Sequence, residues 1–350
     1  MMTEVSALKR KRKIEFLEAV RGIAAAIVVI QHVLAANFPT YLTASMHSLD
    51  LGRVGVVAFF LVSGYVIPLS LKHQSVGVFA ARRFYRLYPV YWVALGLFCF
   101  IHNFTGVIPG QTPLAVLTNI FMVQGLIGLA SILPPAWTLS LELVFYGQAV
   151  AAKILRISRF LSHAGWFWLA LYLLLCVAAR LVGKDLPITF PLLLFVASVG
   201  HSVYLRDQRM PNNLGRFLWV GAFVIPVGSV FSVDPAWPPF TYTLSAFCGF
   251  ALFFAMWLLR SITFPTWTQW LGGVSYAIYL FHPIVADLLH YILGLPTWLV
   301  VLLDFTMVPV VGFMVHKFIE QPSIRLGVAT TKAWTLDKSQ RAKHLAAKDR

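Results

Sequence analysis

The chain has 350 residues, of which 59% are hydrophobic and only 12% charged, against about 25% charged in an average soluble domain. Its mean hydropathy is +0.77. No water-soluble fold covers that much apolar surface with so few polar groups, so a soluble enzyme or binding module is excluded. The net charge of +15 is carried in short segments between apolar runs, which suits membrane orientation and contact with anionic headgroups and argues against a nucleic-acid partner.

One spanning helix takes about 20 apolar residues. Ten segments meet that requirement: 14–36, 54–71, 87–106, 137–155, 165–183, 188–204, 215–233, 241–260, 270–293 and 296–319. The predicted fold is an all-α, polytopic transmembrane bundle of about ten helices. A transmembrane domain covers residues 1–326, followed by a basic tail, 327–350, that is solvated or lies on the surface. The basic run Lys9–Lys13 before the first apolar segment resembles a signal peptide, but Glu15, Glu18 and Arg21 interrupt it, so an uncleaved first helix is expected.

An eleventh apolar stretch, 112–130, contains Pro113, Thr118, Asn119, Gln124, Gly125 and Gly128 and makes a poor lipid-facing helix. Loop charge arbitrates. If this stretch does not cross, all but four of the 28 Lys and Arg fall on one side, in residues 9–13, 72–86, 153–159, 206–216, at 260 and from 317 onward. The positive-inside bias makes that side cytoplasmic and places both termini there. The other side keeps Arg53, Arg180 and Lys184, and Arg21 lies within the first helix. Cys99, Cys176 and Cys248 lie in apolar segments without close pairing, so neither a disulfide framework nor a zinc site is expected, and no metal is assigned.

Ionisable side chains inside spanning helices are costly and mark functional candidates. The first helix carries Glu18, Arg21 and His32. Eleven residues at 100° each turn about 1100°, so Arg21 and His32 share one face about 16 Å apart. Glu18, one turn before Arg21, is placed to pair with it. The fourth crossing starts at Trp137 from the outer side, and Glu142 lies about 7 Å along it, level with His32 by simple counting. Either carboxylate and imidazole pair at that level, which would orient the ring, or Glu142 caps neighbouring backbone groups. After the second crossing, Arg82 and Arg83 each lie one turn from Arg86, among aromatics. They serve either the positive-inside bias or phosphate recognition. In the ninth crossing, Ser275-Tyr276-Ala277-Ile278-Tyr279-Leu280-Phe281-His282-Pro283 places His282 beside a helix-bending proline, where it joins a polar interior or bonds the carbonyl that proline frees. Asp287, His290 and Asp304 are further intramembrane polar groups without an assigned role.

These stretches together resemble the acyltransferase-3 family of integral membrane acyltransferases. The matching pieces are Glu18-Ala19-Val20-Arg21-Gly22 with His32, Val57–Tyr65, Arg83-Phe84-Tyr85-Arg86-Leu87-Tyr88-Pro89, Trp137–Glu142, Ser275-Tyr276 through His282-Pro283, and Glu320-Gln321-Pro322. The resemblance spans most of the chain in order. It departs mildly where Glu18 and Thr138 stand in place of the family's more usual Asp and Ser.

The resemblance implies transfer of an acyl group, usually acetyl from cytoplasmic acetyl-CoA, to a hydroxyl of a glycan, lipid or small molecule. A surface or exported polysaccharide, or its lipid-linked precursor, is the acceptor of first choice, and the bacterial inner membrane the location. The resemblance carries catalytic roles to Arg21, His32 and Glu142. Arg83 and Arg86, with Arg82, would bind the coenzyme phosphates, and Glu18, Tyr279 and His282 would support them. His32 would act as general base or as a transient acyl carrier, and Glu142 would hold its ring. The rival class is a transporter or flippase of a glycan lipid, since intramembrane Glu, Arg and His also build proton relays, but no repeated half with paired broken helices is apparent.

Overall fold

The computed structural model describes residues 2–105, 112–157, 160–232, 238–292 and 295–348. Arg159, Pro235 and Trp237 lie outside the described residues, as do the side chains of 1–14 and 335–350. The described residues are helical and contain no strand. The helices are α1 (Met2–Asn37), α2 (Pro39–His47), α3 (Leu51–Lys72), α4 (Val76–Thr105), α5 (Pro113–Ile120), α6 (Trp137–Ile154), α7 (Phe160–Val182), α8 (Thr189–Asp207), α9 (Leu214–Phe231), α10 (Pro239–Leu258), α11 (Thr266–Asp287), α12 (Thr297–Val315) and α13 (Gln321–Lys348). Nine helical stretches among the described residues are long and apolar enough to cross a membrane. The 18-residue α6 is not among the nine. It runs inside the bundle against α3 and α8.

Segment 112–130 does not cross as a helix. It gives the eight-residue α5 and a 3₁₀ turn at Gln124–Ile127, and eight residues rise only about 12 Å. Its polar residues satisfy the irregular backbone. Asn119 is fully buried, donates to the carbonyls of Ala115 and Ala130, and accepts from the Ile132 amide at 2.8 Å. Gln124, also fully buried, donates to Ser131 Oγ.

The predicted crossing 87–106 begins eleven residues earlier, at Val76. The Ser75 hydroxyl and carbonyl accept from the amides of Val78 and Phe79, which starts the helix. Pro89 sits inside it without ending it. Arg82, Arg83 and Arg86 are therefore helical residues, and the loop between α3 and α4 is only 73–75.

Contacts fix which helix ends share a face. Lys153, at the end of α6, donates to the Leu71 carbonyl at 2.6 Å and to that of Gln74. Asp207, at the end of α8, accepts from Tyr65 at 2.8 Å and pairs with Arg260, beyond α10, at 3.7 Å. Arg82 Nε donates to Thr331 on α13 at 3.0 Å. The basic segments thus gather on one face, as the charge count requires when 112–130 stays uncrossed. On the opposite face the Asp50 amide donates to Ser245, and His102 lies 3.3 Å from Asp287.

Small residues let the central helices close up. A Cβ at Gly64 would collide with the Ala197 carbonyl, and one at Gly200 with that of Leu61, so α3 and α8 touch backbone to backbone. Gly272 likewise meets the Glu18 carbonyl, joining α11 to α1. Lipid tails give apolar side chains no reason to cluster, so such close packing carries much of the association. Gly200→Val should force α3 and α8 apart at a cost of about 1–3 kcal/mol, read as a lower thermal unfolding midpoint in detergent, while Gly96→Val, where a Cβ meets nothing, should leave it unchanged.

Candidate functional site

The polar stripe of α1 faces the bundle. Arg21 and Glu18 meet at 3.2 and 3.3 Å, and α1 packs against α3 and α11. Two cavities open along this stripe. The first, about 260 Å³, lies toward the basic face and is lined by Glu18 and Arg21 from α1, Ser63 from α3, Arg83 and Arg86 from α4, Glu142 and Tyr146 from α6, and Ser275 and Tyr276 from α11. Three guanidinium groups thus converge from two helices, and Arg21 interacts electrostatically with Arg86, Glu142 and Glu320. Arg83 lies 5.3 Å from the Phe79 ring centre and 5.4 Å from that of Tyr146, which holds a cation beside aromatic faces. The Tyr146 hydroxyl donates to Glu142 Oε1 at 2.5 Å, and the Tyr276 hydroxyl to the Leu87 carbonyl at 2.9 Å.

The second cavity, about 550 Å³, lies toward the opposite face, with His32, His282, Asp50, Arg53, Trp137, Tyr242 and Asp287 in its wall. His32 Nδ1 lies 2.8 Å from the Val28 carbonyl, and His282 Nδ1 lies 2.8 Å from the Tyr279 carbonyl. A carbonyl only accepts, so each neutral ring carries its proton on Nδ1 and leaves the Nε2 lone pair available. The two rings are 4.9 Å apart. His32 is exposed to the chamber, whereas His282 is buried. Beside His32, buried Gln31 donates to Ser45 and accepts from Tyr41 and the Leu51 amide, tying α1 to α2 and to the start of α3. Asp50 caps α3 through the Arg53 amide at 3.1 Å, and the Arg53 guanidinium lies 4.0 Å from the Tyr242 ring centre.

Tyr279 and Val56 line both cavities. Tyr279 stands between them with its hydroxyl 3.0 Å from Thr138 Oγ1 and 3.3 Å from the Pro135 carbonyl.

The predicted contact between Glu142 and His32 does not form. Counting along α6 placed both at one depth on the assumption that α6 starts at the membrane surface. It starts deeper, because the chain before it dips into the bundle. Leu133 and Ala136 are fully buried and the Pro135 carbonyl reaches the middle of α11. Glu142 is therefore carried past Tyr279 into the cavity of the arginines. Arg82 also departs from expectation, turning to Thr331 on α13 and away from the Arg83 and Arg86 pair. Of the polar groups without an assigned role, Asp287 pairs with His102 and reaches the second cavity, while Asp304 is fully buried on α12. In the Glu320-Gln321-Pro322 stretch, buried Glu320 accepts from His316 Nδ1 at 2.8 Å. Sequence reasoning missed Tyr146 and the Asp50–Arg53–Tyr242 corner, and it quoted Tyr276 without giving it a role. The corner had one signal, since Arg53 is a rare cation on the side poor in them. No group of three or more metal-ligating side chains occurs among the described residues.

The fold and site define a polytopic helical membrane protein with a cationic chamber toward one face and an imidazole chamber toward the other. The chain belongs to the acyltransferase-3 family, matching the family model described as an acyltransferase domain over residues 14–316. It is accordingly a membrane acyltransferase transferring groups other than aminoacyl groups. It is 28% identical over 317 residues, 81% of this chain and 93% of the relative, to the exopolysaccharide production protein ExoZ of Rhizobium meliloti (strain 1021). It is 30% identical over 141 residues, 37% of this chain and 36% of the relative, to the acyltransferase MdmB of Streptomyces mycarofaciens. No solved structure matches.

Glu18 and Glu142 offset part of the positive charge in the first cavity. Glu142→Gln should therefore strengthen pyrophosphate binding about tenfold, roughly 1.4 kcal/mol, a plausible size for one charge several ångströms away at intermediate dielectric. Isothermal titration calorimetry of the purified protein reads this directly.

Proposed function

We propose that this enzyme moves an acetyl group from cytoplasmic acetyl-CoA to a hydroxyl of a surface or exported polysaccharide, or of its lipid-linked precursor, in a bacterial inner membrane. The observation that supports this best is the pair of chambers along one stripe of α1, with Arg21, Arg83 and Arg86 at the basic end and His32 at the other. The positive-inside bias assigns the arginine mouth to the cytoplasm, where acetyl-CoA is made. Guanidinium forks suit the coenzyme phosphates. The first cavity is too small for the whole coenzyme and takes its acyl-bearing arm, with the nucleotide end at the mouth. Arg82, bonded to Thr331 on α13, is outside the lining of this cavity and adds to the basic face around its mouth.

The reaction forms a C–O bond to the acceptor oxygen and breaks the C–S bond of the thioester. The acceptor hydroxyl loses its proton as the bond forms. His32 receives it on Nε2, because Nδ1–H is held by the Val28 carbonyl, and returns it to the leaving thiolate. His282, 4.9 Å away, adds a second Nε2 acceptor to the chamber wall. The larger second cavity, with Trp137 and Tyr242 as aromatic faces and Asp50 and Arg53 as polar groups, receives the acceptor. The similarity over 81% of this chain to a protein of exopolysaccharide production favours a glycan acceptor.

Purified enzyme in detergent should transfer radiolabel from acetyl-CoA to alkali-deacetylated exopolysaccharide of the producing strain. His32→Ala should lower kcat at least a thousandfold with normal membrane insertion. Arg83→Ala and Arg86→Ala should each raise the KM for acetyl-CoA tenfold or more while leaving kcat within threefold. Full activity of the His32→Ala protein contradicts the proposal, and label movement that requires a sealed membrane favours transport instead.

A further inference from the structure

The two chambers share a wall, and only Tyr279 and Val56 belong to both linings. Of the two, Tyr279 alone is polar. Its hydroxyl is held across the bundle by α6. Thr138 donates its own proton to the Pro135 carbonyl at 3.0 Å, which leaves two acceptors for the Tyr279 hydroxyl, Thr138 Oγ1 at 3.0 Å and the same carbonyl at 3.3 Å. On the other side the ring makes an edge-to-face contact with Phe59, centre to centre 5.8 Å. The polar contacts to Thr138 and the Pro135 carbonyl, with the Phe59 ring and the His282 ring centre 6.1 Å away, hold the side chain in place, a latch that rotation about the side-chain bonds undoes.

This wall matters because the second chamber can admit water. Its wall is largely apolar but carries Asp50, Arg53, His282 and Asp287, and His32 is exposed within it. A base that takes a proton from a sugar hydroxyl takes one from water equally well. Were a thioester in the first chamber in open contact with that water, its C–S bond would break as a C–O bond formed to water. Acetic acid would leave, and the second proton of water would end on the coenzyme thiol.

Resting on the donor and acceptor assignment above, we propose that Tyr279 is the residue that makes this protein a transferase rather than a thioesterase. Its ring, latched to Thr138, is the septum that keeps outer-chamber water off the thioester. It moves aside when an acceptor has displaced that water. The specificity for an alcohol over water thus resides in the partition, and His32 itself has none.

The ratio of acetate released to acetyl transferred tests this, measured on the purified full chain with labelled acetyl-CoA, with and without alkali-deacetylated exopolysaccharide. Tyr279→Ala removes the septum and should raise the ratio at least tenfold, with acetate released even without acceptor. Thr138→Val keeps the ring but removes the shorter of its two polar contacts and should raise the ratio at least threefold, which decides the matter if Tyr279→Ala does not fold. A structural role alone would lower both products together and leave the ratio unchanged. Wild-type ratios in both variants, or a folded Tyr279→Ala protein that binds coenzyme and makes neither product, overturn the septum. If the wild-type enzyme neither binds acetyl-CoA nor transfers from it, the donor assignment fails instead, and the two failures are distinct.

Discussion

Everything in this bundle depends on keeping one ionisable stripe away from lipid. A charged side chain at the centre of a helix in a bilayer costs about 3 kcal/mol, and α1 carries Glu18, Arg21 and His32 within four turns. The chain meets that cost by surrounding the stripe. Glu18 and Arg21 pair with each other, α3 and α11 close over α1 at glycine contacts, and α4 adds two guanidinium groups that share the cavity with Glu142. The same enclosure that makes the stripe tolerable creates two chambers. Structure and chemistry here have one cause, a polar path that exists only because protein shields it from lipid.

Much of this was legible in the sequence wherever a periodic rule sufficed. The 100° step put Arg21 and His32 on one face, and the i,i+3 relation paired Glu18 with Arg21. The charge bookkeeping that kept 112–130 from crossing agrees with the observed meeting of Lys153, Asp207, Arg260 and Arg82 with their partners on one face. Tyr279 and His282 were singled out, and both line the second cavity.

What failed was depth and direction. Glu142 was placed beside His32 by counting residues from the start of α6, but where a helix starts in the membrane is set by what precedes it. Here the stretch from Asn119 to Pro135 folds into the bundle, with the Asn119 side chain bonding the Ala130 carbonyl and the Ile132 amide and that of Gln124 the Ala136 carbonyl, and lowers the start of α6. Arg82 lies on the same turns as Arg83 and Arg86, yet it faces α13, a neighbour more than two hundred residues away that local periodicity cannot reveal. The division of the stripe at Tyr279 was invisible for the same reason. It arises where α6 and α11 meet, and no spacing within either helix encodes it.

The central claim is that donor and acceptor chambers open to opposite faces and meet only inside. It is tested most directly by thiol accessibility in sealed, oriented vesicles. The background lacks Cys99, Cys176 and Cys248, and a single cysteine is introduced as Ser63→Cys in the first cavity or Ala36→Cys in the second. A membrane-impermeant maleimide should reach the Ser63 position only from the basic face, with protection by coenzyme A, and the Ala36 position only from the opposite face. Labelling of both positions from the same face would contradict the account.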